Sequence, residues 1–149
     1  MRQILVLPAL LAWAAAAQAA EAQRDAHMDA YLSIWSQNAN ITPATVGRLY
    51  GRQVIYYGRP MSAAAVYRDK LAFIRAWPNR RYEAVPGTVT NDCGDGVERC
   101  RVTATIRWTR ADAAGRRRQS GTNTVRLQLA RQDGTLKIVR ESGSPVASR

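Results

Sequence analysis

The stretch from Met61 to Trp77 constrains the fold most, because it has a strong helical period that one residue violates. At about 100° per residue, its apolar side chains fill one arc of a helix. Lys70 falls at roughly 40° from Val66, near the middle of that arc. Burying an unpaired ammonium is costly, so Lys70 must reach water along its apolar stem, pair with a carboxylate, or stand in a cavity. The sequence leaves these alternatives open.

The N-terminus has the form of a cleaved export signal. An apolar run at residues 4–17 follows a positively charged start, and residues 17–19, Ala-Gln-Ala, match a cleavage site. We therefore expect residues 1–19 to be a signal peptide and residues 20–149 to form one domain, with its core at about 23–146. The expected location is periplasmic or secreted, and the apolar run is too short to span a membrane comfortably.

The two cysteines of the chain, Cys93 and Cys100, flank a short segment that contains Gly94-Asp95-Gly96. A turn there would bring the thiols together, and an exported protein matures in an oxidising compartment. We therefore expect a disulfide between Cys93 and Cys100. No metal site is expected, because the single histidine, His27, and one cysteine pair are too few ligands for structural zinc.

The chain is strongly basic, with 22 lysines and arginines against 11 acids and a net charge of +11. The arginines are spread along the whole sequence, apart from one cluster at residues 116–118. No recognised nucleic-acid motif accompanies them, so nucleic acid is not an expected partner. The charge favours solubility and loose attraction to acidic surfaces.

Periodicity predicts an α+β protein. Apolar spacing and capping residues indicate helices at the start of the chain and at the long central segment, which Ser62 caps and Pro78 ends. Alternation indicates an antiparallel sheet afterwards, with Asp133-Gly134 as a hairpin turn. The predicted order is α-α-β-α-β-β-β-β: helices at 23–37 and 43–50, a strand at 52–58, a turn at 58–62, the long helix at 62–77, and strands at 80–89, 99–110, 120–131 and 135–141.

The order of the predicted helices and strands, together with several short sequence segments, resembles the nuclear transport factor 2-like superfamily, which includes SnoaL-like and ketosteroid-isomerase-like branches. The similar segments are residues 54–58 (VIYYG), Lys70 with Phe73, residues 75–82 (RAWPNRRY), and Gly121. They look like exported, uncharacterised members, over roughly residues 23–146. The resemblance implies a cone-shaped α+β barrel, in which a curved antiparallel sheet wraps around the long helix and encloses a pocket.

One function that fits is an exported, non-catalytic binding or interaction module. Basic and aromatic side chains in such a pocket would suit an anionic or aromatic small ligand, and no cofactor is expected. Ordinary core packing is the alternative for each aromatic. The candidate ligand-binding residues are Tyr56, Lys70, Trp77, Tyr82, Trp108 and Arg140, the last sharing a strand face with Leu136 and Ile138.

The alternative function is a SnoaL-type small-molecule isomerase or dehydratase that uses a pocket carboxylate. The resemblance implies an acidic base with tyrosine or carboxyl donors opposite. The candidates are Glu83 or Glu141 as base, with Tyr56 or Tyr57 as donor. Both glutamates are predicted on the strand face opposite the better apolar set, so the sequence favours the binding module and leaves catalysis open.

The resemblance also favours a homodimer through the open face of the sheet, where many members pair. Polar side chains alternate outward along two neighbouring predicted strands and would form a flat surface that no helix covers. Repulsion between two basic chains would oppose this association at low salt. The surface would comprise Arg101, Thr103, Thr105, Arg107, Thr124, Arg126 and Gln128.

Overall fold

Two helices lead into the sheet in a computed structural model that describes residues 26–146. Helix α1 occupies residues 26–36 of the described chain, and a short 3-10 turn follows at Asn38–Asn40. Helix α2 spans Pro43–Leu49 and begins with a reciprocal capping box between Thr42 and Thr45. The predicted signal peptide lies outside the described residues.

Seven strands and a long helix complete the fold. In chain order the elements are β1 (Tyr50–Tyr56), β2 (Arg59–Ser62), α3 (Ala63–Ala76), β3 (Asn79–Ala84), β4 (Thr90–Asn91), β5 (Arg99–Ala111), β6 (Arg118–Gln132) and β7 (Thr135–Pro145). The strands form one curved, open sheet in the order β2-β1-β7-β6-β5-β3, with β4 paired to β5. Helix α3 turns Val66 and Lys70 towards the core.

Local signals for the central helix and the last hairpin are confirmed. Ser62 accepts a hydrogen bond from the N–H of Ala65 at the start of α3. The helix ends at Ala76, just before the residue that precedes Pro78. Asp133 and Gly134 both have positive φ, 51° and 81°, as a tight two-residue hairpin requires.

The segment predicted to be a turn, residues 58–62, is mostly strand β2. The turn itself lies at Tyr57-Gly58, where φ is 48° and 82°, and Tyr56 then pairs with Arg59. Pro60 is tolerated because β2 is at the edge of the sheet and the missing N–H breaks no inner ladder. A bulky aromatic with positive φ is strained, so Tyr57 is held there by its surroundings.

Two differences concern strand pairing. The sheet is mixed, because β1 runs parallel to β7 and places Tyr56 beside Glu141. The strand predicted at 80–89 is also split: Pro86-Gly87 forms a turn, with φ 75° at Gly87, and β4 follows as a separate short strand. Parallel pairing joins segments far apart in the chain, so no local pattern could indicate it.

A bulge in β7 reverses the predicted faces of Arg140 and Glu141. Leu129 pairs with Ile138 but Gln128 pairs with Arg140, so Val139 is an extra residue. One extra residue exchanges the inward and outward positions that follow it. Glu141 is consequently buried, with 0% exposure, and Arg140 is exposed.

The Cys93–Cys100 disulfide is present, as predicted. None of the helices within residues 26–146 is long and apolar enough to cross a membrane. The polar residues expected at a dimer surface do lie in register across β5 and β6, with Arg101 opposite Gln128 and Thr103 opposite Arg126. The dimer itself stays a prediction.

Gly121 allows Trp108 to lie flat against β6, and we expect Gly121→Ala to destabilise the protein. The two residues are directly paired, and a Cβ at Gly121 would lie 2.6 Å from Cζ2 of Trp108. We expect the free energy of unfolding in urea to fall by about 1–3 kcal/mol.

The matched control is Gly47→Ala in α2, where an added Cβ meets nothing within 4 Å. This change should raise the free energy of unfolding by up to about 1 kcal/mol, because alanine favours a helix. Equal stability of Gly121→Ala and wild type would show that Trp108 can move away at no cost.

Candidate functional site

A cavity of about 640 Å³ lies between the helices and the concave face of the sheet. Its wall is mainly aromatic, because inward positions of β1, β3 and β5 face the apolar sides of α1 and α3. Polar groups, including Arg59, Asp69 and Arg110, complete the lining. The aromatic lining residues are Tyr31, Trp35, Tyr56, Tyr57, Phe73, Tyr82 and Trp108.

The aromatic wall is a set of packed ring pairs. Trp35 meets Phe73 edge to face at 5.3 Å between centroids, and Tyr82 stacks on Trp108 at 6.4 Å. Tyr82 and Trp108 are also opposite each other on β3 and β5. Ring pairs of this kind stabilise by about 0.5–1.5 kcal/mol beyond their burial, so the wall is formed before any ligand enters.

Lys70 lies directly behind this wall and is fully buried. Its Nζ sits 3.4 Å from the ring centroid of Trp35 and 5.2–5.7 Å from three tyrosine rings. Within the described part of the chain, the ammonium has no hydrogen-bond partner. The ring faces therefore provide its close electrostatic stabilisation. The three tyrosines are Tyr31, Tyr50 and Tyr56.

Glu141 is the buried counter-charge on the other side of the tyrosines. Tyr31 donates its hydroxyl to Oε1 at 2.7 Å, and Tyr50 donates to Oε2 at 2.5 Å. Charge-assisted hydrogen bonds of this kind are short and strong. Both carboxylate oxygens are thus satisfied although the side chain is 0% exposed.

The charges of Lys70 and Glu141 are coupled through the ring cluster. Burial lowers the pKa of Lys70 from 10.5 to about 8, while Glu141 and then Asp69 act in the opposite direction. Burial, followed by the charge of Glu141, raises the pKa of Tyr31 and of Tyr50 well above 10.0. All of the hydroxyls that bind Glu141 therefore stay protonated donors at neutral pH.

The cavity mouth is more polar. Tyr57 is half-exposed there, and burial together with Glu141 raises its pKa. Asp69, the carboxylate that lines the cavity, is exposed on α3. Arg110 lies over Trp77 and Trp108, with its Cζ 4.5 Å and 4.9 Å from the ring centroids.

Solved structures share this architecture. No family model and no curated protein sequence matches the chain. A nuclear transport factor 2-like superfamily protein from Salmonella enterica superposes with a TM-score of 0.67 at 11% identity, over 89% of this chain and 94% of that one. The chain has the nuclear transport factor 2-like fold.

Two further structures with this fold extend the likeness. A dehydratase candidate from Streptomyces avermitilis, itself of the nuclear transport factor 2-like family, has a TM-score of 0.63 at 10% identity, over 82% of this chain and 93% of that one. A ketosteroid isomerase-like protein from Catenulispora acidiphila, in complex with trimethylamine, has a TM-score of 0.57 at 13% identity, over 79% and 83%. At such identities the likeness establishes the nuclear transport factor 2-like fold alone.

The fold brings three of the predicted ligand-binding residues to the cavity: Tyr56, Tyr82 and Trp108. Lys70 lies one layer behind them. Trp77 is outside the lining, and the guanidinium groups of Arg110 and Arg117 lie over its ring. Arg140 is on the exposed face of β7 because of the bulge.

Only some of the residues predicted for the catalytic alternative lie at the cavity. Tyr56 and Tyr57 line the cavity, whereas Glu141 is buried behind it. Glu83 is on the outer face of β3, where it accepts a hydrogen bond from Arg81 at 2.8 Å. Asp69 is the only carboxylate among the described lining residues. The sequence missed it because it lies just outside the apolar arc of α3, where a charged residue is usually solvated.

The four rings around the ammonium of Lys70 form an aromatic cage of Tyr31, Trp35, Tyr50 and Tyr56. The sequence missed the first three of these residues. All three were visible as members of the apolar stripes of the first two predicted helices. An apolar stripe indicates burial but does not say which residue it buries against. The buried cation at Lys70 was the available signal, since it needs electron-rich partners nearby.

We expect removal of the two buried charges to have unequal effects on the free energy of unfolding. Lys70→Met should leave the free energy of unfolding at pH 7 unchanged or higher, because Glu141 keeps both tyrosine donors. Glu141→Gln should lower it by about 3 kcal/mol, because the ammonium then has no counter-charge. Urea unfolding measures both.

The double variant Lys70→Met with Glu141→Gln tests the coupling. Without the ammonium, the loss caused by Glu141→Gln should shrink by more than about 1 kcal/mol. Additive effects would mean that Glu141 serves only its tyrosines and not Lys70.

Lys70 should also make stability depend on pH. Its folded pKa of about 8 is below the unfolded value of 10.5, so the unfolded chain binds more protons between these values and stability rises with pH. We expect a gain of about 1–2 kcal/mol from pH 7.5 to pH 9.5 in wild type. Above about pH 10 the buried tyrosines reverse the trend, since their unfolded forms ionise first.

The control for this pH profile is Lys70→Met. Its free energy of unfolding should lack the rise that wild type shows across the same interval. A rise of equal size in the variant would assign the effect to another group.

Proposed function

We propose that the protein is a binding module whose cavity holds a small aromatic ligand with an anionic group. The cavity volume of about 640 Å³ falls in the range of small-molecule sites. Seven aromatic side chains supply flat apolar walls. This packed aromatic lining is the observation that carries the proposal.

Charge around the cavity supports an anionic group on the ligand. Arg59 and Arg110 line the cavity against a single carboxylate, Asp69. Neither arginine belongs to the ion pairs among the described residues. A guanidinium binds carboxylate and phosphate groups through two parallel hydrogen bonds, so either arginine could hold such a group at the mouth.

Lys70 supports the same ligand charge from behind. Tyr31, Trp35 and Tyr56 contact its ammonium and also line the cavity. The cation attracts ring electron density away from the cavity, which weakens the negative potential that a second cation would need. The trimethylamine bound by the Catenulispora acidiphila protein is an amine. In this chain the internal lysine already occupies the aromatic cage.

The positions and hydrogen bonds of the carboxylates favour binding without catalysis. Glu141 has both oxygens bonded to tyrosine hydroxyls, and Glu83 is outside the cavity. Asp69 is exposed at the mouth and has no enclosed position from which to take a proton from a buried carbon.

The isomerase or dehydratase alternative has one observation in its favour. Tyr31 lines the cavity and donates to the buried Glu141. A ligand that accepted the hydrogen bond of the Tyr31 hydroxyl in place of Glu141 would be polarised next to a carboxylate. The reaction would require Glu141 to leave at least one tyrosine, so substrate turnover should disappear in Glu141→Gln while ligand binding persists.

The proposal is tested with three probes that share a naphthalene ring and differ in charge: 1-naphthoate, its near-isosteric amide 1-naphthamide, and the cation (1-naphthylmethyl)trimethylammonium. Equilibrium dialysis should give saturable binding with the anion tightest, by about tenfold over the amide. Trp108→Ala should weaken all three probes, because a wall is lost. Arg110→Gln and Arg59→Gln should reduce the preference for the anion.

Arg101→Gln is the matched control, since Arg101 is exposed on β5 outside the cavity lining. It removes the same charge from the chain and should change no affinity. Equal binding of all three probes would contradict the anionic preference, and the absence of saturable binding would contradict the proposal itself.

A further inference from the structure

A second cleft, of about 490 Å³, lies at the rim of the sheet next to the β5–β6 loop. It is built by β3, β5 and β6, which meet there at their ends. Within residues 26–146, its lining includes Arg80, Arg110 and Arg118 and no acidic residue. Three of the arginines that are scattered along the sequence therefore meet at one place.

This convergence is electrostatically unfavourable in the free protein. Arg80 is directly opposite Arg110 in the β3–β5 pairing, and like charges at such positions repel. The ion pairs within residues 26–146 involve other arginines, namely Arg52, Arg81, Arg117 and Arg131. The three cleft arginines therefore share a cleft without a carboxylate counter-charge in the described chain.

Arg80 is held in place by the backbone around it. Its Nε donates to the carbonyl of Trp35 at 2.8 Å, and its Nη1 donates to Asn38 Oδ1 and to the carbonyl of Trp77. Its Nη2 is buried and has no partner in the described part of the chain. A buried donor without an acceptor is costly, so a small shift of Arg80, which lines the cleft, that brought Nη2 to a bound anion would relieve this cost.

Arg110 is fixed in the same way. Its Nε and Nη2 both donate to Gln119 Oε1, at 2.8 Å and 2.5 Å, and its guanidinium lies over Trp77. Arg118 is anchored through Nε to the carbonyl of Gly115 at 3.0 Å. Guanidinium groups held in fixed orientations lose little freedom when they bind an anion.

We propose that this cleft binds a tetrahedral oxyanion, a phosphate or sulfate group, between Arg80, Arg110 and Arg118. Such a group offers several acceptor oxygens to three guanidinium groups and neutralises their repulsion. Arg110 and Ser120 line both this cleft and the aromatic cavity. The oxyanion therefore binds either as a free ion or as an ester on a ligand in the cavity.

Titration calorimetry with inorganic phosphate tests the site on the purified protein, at constant ionic strength maintained with chloride. We expect saturable binding, with sulfate as a competitor. Arg118→Gln should weaken phosphate binding about tenfold. Arg80→Gln should weaken it at least as much, with its melting temperature recorded because Arg80 also ties β3 to α1.

Arg116→Gln is the matched control. Arg116 lies in the same β5–β6 loop, is exposed, and is outside the cleft lining. It should leave phosphate affinity unchanged. Heats equal to dilution, or equal weakening by Arg116→Gln and Arg118→Gln, would overturn the proposal, since the latter result indicates general attraction to a basic surface.

A second titration distinguishes the two sources of the oxyanion. If the ester belongs to a cavity ligand, 1-naphthyl phosphate should bind at least tenfold tighter than inorganic phosphate, and Trp108→Ala should abolish the difference. Equal affinities would assign the site to a free ion. Arg118 lies outside the aromatic cavity, so Arg118→Gln should still bind 1-naphthoate normally, and failure of one site is separable from failure of the other.

Discussion

The geometry of the cavity depends on one interaction, the ammonium of Lys70 enclosed by aromatic rings and balanced by Glu141. It joins α3 to Trp35 of α1 and Tyr50 of β1, and through the tyrosine hydroxyls to β7. A buried charge tolerates little displacement, because each nearby ring or carboxylate that moves away leaves it less compensated. The four elements around the cavity are therefore held at one spacing.

The same interaction sets the character of the cavity. Rings that stabilise Lys70 on one side present their other surfaces to the cavity, as Trp35 and Tyr56 do. A site that resembles an aromatic cage for cations thus already contains its own cation. Among the other charged residues of the lining, Arg59 and Arg110 outnumber Asp69, and this balance favours an anion at the mouth.

The sequence predicted more of the fold than of the site. Capping at Ser62, the Asp133-Gly134 turn, the disulfide and the long alternating strands depend on neighbouring residues, and all were predicted. Of the site, the sequence identified Lys70 as an anomaly and named four residues that line the cavity: Tyr56, Tyr57, Tyr82 and Trp108. It misplaced Arg140 because one bulged residue exchanges the two faces of a strand, and a period of two contains no signal for the insertion.

The sequence by itself determined most of the buried positions: the apolar stripes of the helices, the inward positions of β5 and β6, and the place of Lys70 within the apolar arc of α3. The tertiary structure alone decided what those residues meet. Parallel pairing of β1 with β7 and the bulge at Val139 brought Glu141 to Tyr31 and Tyr50. Sheet register likewise placed Arg80 opposite Arg110. Burial follows from local periodicity, whereas partners separated by more than a hundred residues, such as Tyr31 and Glu141, are fixed only when the whole sheet closes around the helix.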